Sequence, residues 1–222
     1  MTTPQDLLFV TLDVPSSRPV EQGDLSLALA GAELVDLLAA EAVTLDDDRI
    51  VPGLVPATGD RLLDEAGAAL VRQAPYETVE DWLWRRGRGL ASAYATELEP
   101  RGQRGGALQR WLRPRAERSA PAGSDSPARH HATERWDSRE PVLVGLAAAL
   151  GIPEAQEAPE SPAAPDTPET PEAPETPDTS VLGGDALVTV LATVNGALTE
   201  LEAVRQRRRI EDAAFDNVWR AP

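Results

Sequence analysis

Residues 24–42 constrain this fold more than any other stretch. Asp24-Leu25-Ser26-Leu27-Ala28-Leu29-Ala30-Gly31-Ala32-Glu33-Leu34-Val35-Asp36-Leu37-Leu38 is rich in alanine and leucine, and its apolar positions spread almost all the way round a helical wheel. An amphipathic helix can leave one side in water, but this one cannot. It is predicted to lie at the centre, with the remaining elements packed around it. Gly31 and its alanine neighbours lack bulk, so another helix can approach closely there.

The flanking segments read as the elements that would surround it. Thr3-Pro4-Gln5-Asp6 has the form of an N-cap, a proline at the first helical position and an acid in the first turn, predicting a helix to about Leu12. Val43-Thr44-Leu45, Asp46-Asp47-Asp48 and Arg49-Ile50-Val51 predict a short hairpin closed by an acidic turn. The three aspartates lack the glycine and terminal glutamate of an EF-hand loop, so a solvated turn is the reading. In Thr58-Gly59-Asp60-Arg61-Leu62-Leu63-Asp64-Glu65-Ala66, Thr58 and Asp60 can cap a helix whose apolar side is Leu62, Leu63, Ala66 and Leu70. In Glu77-Thr78-Val79-Glu80-Asp81-Trp82, Thr78 is placed to cap a second helix, with Val79, Trp82 and Leu83 turned inward.

Charge is segregated along the chain. The formal net charge is −16, yet residues 85–139 hold 12 arginines against 6 acids, while residues 1–84 carry a net of −12. All 21 basic residues are arginine, which reflects a GC-rich coding sequence more than a mechanism. Arg85 and Arg86 end the second signature helix near its negative dipole end, and Gly87 and Gly89 supply its cap. Short helices are then predicted over 90–99 and 101–112. Residues 114–137, rich in Pro, Ser, Ala and Arg, are predicted to be loop or disordered, and with them the adjacent His130 and His131. An apolar helix follows to Gly151.

From Pro159 to Pro177 proline recurs every third residue, with acids between, which matches one turn of polyproline II. Residues 153–180 are therefore predicted to be an extended linker, able to span up to about 80 Å at ~3.1 Å per residue. Beyond it, Leu187, Leu191, Val194, Leu198 and Leu201 are spaced four, three, four and three apart on a long helix over 183–219. This seam can dock on the core or on a partner, another copy included. Arg205-Gln206-Arg207-Arg208-Arg209 follows on the same helix, and Phe215, Val218 and Trp219 close it with apolar surface suited to a membrane interface.

Chemistry is thinly signalled. There are no cysteines, which excludes disulfides and thiolate metal sites and makes a reducing compartment the expectation. No nucleophile-elbow, Walker-type or zinc-helix pattern occurs in context, so neither an enzyme, a metal nor a cofactor is expected. The helix-plus-hairpin order also occurs in winged helices. An acidic 1–84 segment offers no arginine-bearing recognition helix, so nucleic acid is not an expected partner.

The ordered motifs TGD-x-LLDEA (58–66) and ETV-x-x-W (77–82), preceded by Asp6–Asp13 and Leu27–Leu37, resemble the Golgi phosphoprotein 3 family and look like a bacterial member of it. Eukaryotic members are peripheral membrane adaptors that recognise phosphatidylinositol 4-phosphate. The resemblance implies a mainly α fold: a compact multi-helix domain over 3–152 with a short hairpin, completed by the C-terminal helix. It implies a non-enzymatic, cytoplasmic adaptor, peripheral at the inner face of a membrane, contacting anionic lipid headgroups through an arginine-rich face. The family's R-x-x-R pair matches Arg101 and Arg104, with Arg88 as a further phosphate contact and Arg207, Arg208 and Arg209 as a secondary anionic contact. At two other pocket positions this chain departs, with Glu21 for a tryptophan and Ala30 for an arginine. The alternative is a protein-interaction scaffold that keeps the fold but has lost the lipid site.

Overall fold

A computed structural model describes residues 1–98, 126–153 and 184–220. The predicted helix over 101–112, the 114–125 part of the predicted loop and nearly all of the predicted linker lie outside the described residues. Among those described, eight helices and one two-stranded hairpin are arranged around a single central helix. They are α1 (Thr3–Asp13), α2 (Gln22–Ala39), β1 (Val43–Asp46), β2 (Arg49–Pro52), α3 (Arg61–Ala68), α4 (Val79–Arg86), α5 (Leu90–Glu97), α6 (Pro127–Asp137), α7 (Pro141–Ala149) and α8 (Gly184–Arg220).

The central helix is α2, as its composition requires. Every residue from Asp24 to Val35 is buried, and α1, α3, α4, α5, α7 and α8 all touch it. It ends before residue 42 because Glu41 adopts a left-handed φ of 53° and Ala42 N–H donates back to the Leu37 carbonyl at 2.9 Å. Helix α1 starts one residue earlier than predicted, with Thr2 rather than Thr3 as the cap residue. The Thr3 N–H, an orphan donor of the first turn, is taken by the Asp36 carboxylate of α2 at 2.8 Å. Capping and docking of α1 are thus one contact.

The hairpin pairs Val43 with Pro52 and Asp46 with Arg49, leaving Asp47 and Asp48 as the turn, with Asp47 at a φ of 55°. Its open edge is covered by the entry to α4, where Ile50 N–H donates to the Glu77 carbonyl at 2.9 Å and Val79 N–H to the Asp48 carbonyl at 2.8 Å. Both signature helices are capped as predicted. Asp60 accepts from Leu63 N–H at 2.9 Å, and Thr78 Oγ1 accepts from Asp81 N–H at 3.1 Å.

One prediction is corrected. Residues 127–137 form α6 and not loop, beginning at a Ser126 cap followed by Pro127. The helix has almost no apolar side of its own, with Ala132 as its buried residue. It is held instead to α1 by charge: Arg129 grips Asp13 at 2.6 Å and covers the Phe9 ring at 5.6 Å, and Arg135 reaches Asp6 at 2.6 Å. His131 therefore sits on a helix with Nδ1 3.2 Å from the buried Asp6 carboxylate. A pattern search for apolar periodicity has nothing to find in such a segment.

Helix α8 resolves the two fates open to the leucine seam. Leu187, Val190, Val194, Ala197 and Leu198 are buried against α2, α4 and α7. The Val194 side chain occupies the space a Cβ on Gly31 would need, at 2.5 Å, and Leu191 lies over Gly145. By length and composition Gly184–Ala213 is apolar enough to cross a membrane; 22% of its most apolar window is buried, on the side that packs on α2, α4 and α7. At its far end Arg205 locks onto the start of α2, 2.6 Å from Asp24 and 3.0 Å from Glu21.

Candidate anion-contact surface

The described arginines fall into two kinds, and local geometry decides which. Arg86, at the end of α4, turns inward. Its guanidinium makes a forked contact with Glu33 at 2.7 and 2.8 Å and donates to the Leu62 carbonyl at 2.8 Å. Glu33 is fully buried on α2 and also accepts from Tyr94 Oη at 3.0 Å. Burial is the largest influence on the Glu33 carboxyl and raises its pKa above the usual range, against the opposing pull of Arg86. The same burial, reinforced by the Glu33 charge, raises the Tyr94 phenol. This network joins α2, α3, α4 and α5.

Arg85 is likewise occupied, with Glu77 at 2.7 Å and the Trp82 ring 5.3 Å from its guanidinium carbon. Arg61 pairs with Glu97 at 2.7 Å and also with Glu65. Arg129, Arg135 and Arg205 are neutralised as described above, and Arg209 pairs with Glu202 at 2.5 Å. Arg18, Arg49 and Arg72 donate to backbone carbonyls, those of Ala149, Tyr76 and Gly53. Arg88, Arg139, Arg207 and Arg208 differ: they are exposed, and neither a carboxylate nor a carbonyl among the described residues holds their side chains. Arg88 lies in the turn between α4 and α5, next to the start of α2, where Ala91 N–H donates to Ser26 Oγ at 3.1 Å. Arg207 and Arg208 lie on α8 just past the Arg205 lock.

The TGD motif lines a cleft of about 610 Å³ together with Met1, Gln5, Asp36 and Arg61. Its polar atoms are already engaged. Asp60 accepts from Leu63 N–H, from Thr2 Oγ1 at 3.2 Å and from Gln5 Nε2 at 2.5 Å, while Thr58 donates from both its N–H and its hydroxyl to Asp64 at 2.8 Å. Those two bonds from Thr58, the backbone one first, hold the Asp64 carboxyl below its usual pKa. The motif ties α1 to α3. Asp60→Ala removes both cap and tie, and is expected to lower stability by about 0.5–2 kcal/mol in chemical denaturation.

The family model described as Golgi phosphoprotein 3 (GPP34) matches residues 4–217. The chain belongs to the GPP34 family. The match runs through α8, so the C-terminal helix is part of the family unit and not an appendage to it. No curated protein and no solved structure matches this GPP34 chain.

The predicted phosphate pocket can now be placed in part. Arg101 and Arg104 lie outside the described residues. Ala30 is fully buried at the middle of α2, and its carbonyl accepts from the Trp82 indole N–H at 3.1 Å. No side chain at that position reaches solvent, so this GPP34 chain has no phosphate donor there. Glu21 is partly exposed but is claimed by Arg205. Sequence reading missed the Glu33–Arg86 pair, treating Arg86 as a dipole partner. The available signal was a glutamate inside a helix that is apolar on nearly every side.

Proposed function

We propose that this chain is a non-enzymatic adaptor, cytoplasmic and peripheral to a membrane, that contacts anionic lipid headgroups through exposed arginines. The observation that carries it is the contrast among arginines. Among the described residues, carboxylates or backbone carbonyls hold most of the arginines, whereas Arg88, Arg139, Arg207 and Arg208 stay exposed with neither. Guanidinium groups bond phosphate through forked donors, and each basic residue near an anionic surface contributes about 1 kcal/mol. Arg101 and Arg104 extend the proposed contact from the basic 85–139 segment.

Co-sedimentation of the full chain with phosphatidylserine-containing vesicles tests the proposal. Arg207→Gln with Arg208→Gln is expected to weaken binding by roughly thirtyfold, about 2 kcal/mol. Binding that is indifferent to lipid charge and to salt would sink it.

A second reading has its own observation. Arg205 is spent on Glu21 and Asp24, and buried Ala30 stands at the expected arginine position, so two positions of the pocket implied by the resemblance offer no free donor in this chain. A scaffold that keeps the fold without that pocket would show no salt-sensitive vesicle binding and would form a stoichiometric complex with a protein partner.

A further inference from the structure

Helix α8 outlasts the core it packs on. Among the described contacts, Leu201 ends the buried seam and Arg205 holds Asp24 and Glu21, and the helix continues to Arg220. Fifteen residues at ~1.5 Å each project about 22 Å. Every described side chain from Gln206 to Ala213 is exposed. Ile210 and Phe215 are 66% and 65% exposed, although both are large and apolar.

The projection is ordered both around its axis and along it. At 3.6 residues per turn, positions 205, 209 and 212, all charged, share one side. Ile210 and Phe215 fall on the other. Outward from the core come the arginines first and the apolar positions after. Glu211 is the one acid in the apolar sector, and no ion pair joins it to Arg207 or Arg208 among the described residues.

We propose that this projecting end of α8 is an interfacial anchor, with the side bearing Ile210 and Phe215 entering the headgroup–acyl boundary of an anionic bilayer while Arg207 and Arg208 meet lipid phosphates. The inference rests on the membrane reading above and adds the element that inserts. The occupant follows from charge and order. A basic collar followed by an apolar tip with aromatic residues matches phosphates lying above acyl chains. A second copy packed in parallel on the same side would set the arginine collars against each other.

Because the chain contains no cysteine, one can be introduced at Ala214→Cys and labelled with an environment-sensitive dye, with exposed Ala192→Cys as the control. On phosphatidylserine-containing vesicles the dye at 214 is expected to shift to the blue and resist iodide quenching, and the dye at 192 to do neither. Ile210→Asp with Phe215→Asp, outside the core and expected to leave the thermal unfolding transition unchanged, should weaken vesicle binding at least tenfold. Vesicle binding that survives this pair, with the dye at 214 still in water, would overturn the anchor and leave the arginine reading standing. No binding by the unaltered chain would overturn both. A dimer in sedimentation velocity that this pair dissolves, without vesicle binding, would assign the face to a second copy.

Discussion

Arg86→Met is expected to destabilise the domain by about 3–5 kcal/mol, a large share of the 5–15 kcal/mol typical of a whole domain. The new side chain fills similar space, so the loss is electrostatic. Glu33 would remain fully buried with Tyr94 Oη as its one side-chain donor, and the Leu62 carbonyl would lose its partner. The loss should also depend on pH. Burial already raises the Glu33 pKa and Arg86 opposes it, so removing Arg86 raises it further. A carboxyl that holds its proton more tightly folded than unfolded makes stability fall as pH rises from the ordinary glutamate value of 4.5 to the folded-state pKa, by up to about 1.4 kcal/mol per pH unit. Urea titrations between pH 4 and pH 7 would show the slope. Glu33→Gln in the same chain should flatten it and recover part of the stability, since an amide oxygen still accepts from Tyr94. A pH-independent loss would mean that the pair acts through packing alone.

Trp82→Ala is the second large effect, also expected at about 3–5 kcal/mol. Trp82 is fully buried where α4 meets α2, and its N–H holds the Ala30 carbonyl. Alanine leaves a cavity at the centre of the fold and removes the ring over which the Arg85 guanidinium lies. Trp82→Phe separates these contributions, keeping most of the ring volume while losing the hydrogen bond, for a cost nearer 1–2 kcal/mol. If the phenylalanine variant proved as unstable as the alanine one, the hydrogen bond and not the volume would be the main contribution. Thermal unfolding of the three proteins measures this.

These two residues also mark how far the sequence was legible. The central position of α2, the caps at Asp60 and Thr78, the presence of the hairpin and the leucine seam of α8 are carried by local patterns: periodicity, cap spacing and turn chemistry. Trp82 was readable as core on those grounds. Arg86 was not, because its partner lies 53 residues away and nothing in the local pattern distinguishes it from Arg85. Helix α6 was missed for the same reason, since Arg129 and Arg135 are fastened to acids 116 and 129 residues earlier. Of the candidate site, the family and the exposure of Arg88 and Arg207–Arg209 were legible. The burial of Ala30 was not, since a wheel that is apolar all round cannot say which position is deepest.

The lock between Arg205 and Asp24 joins residues 181 apart in sequence, with consequences for synthesis of the chain. Until α8 has left the ribosome, the trough formed by Gly31, Leu83 and Leu146 has no lid, and the nascent chain must wait with that apolar surface in water. The interval covers at least the 30 residues from 154 to 183, at roughly 5–20 residues per second. A stall or premature stop inside that interval would release a chain whose first 150 residues are complete and whose core is open, a ready substrate for chaperones and proteases.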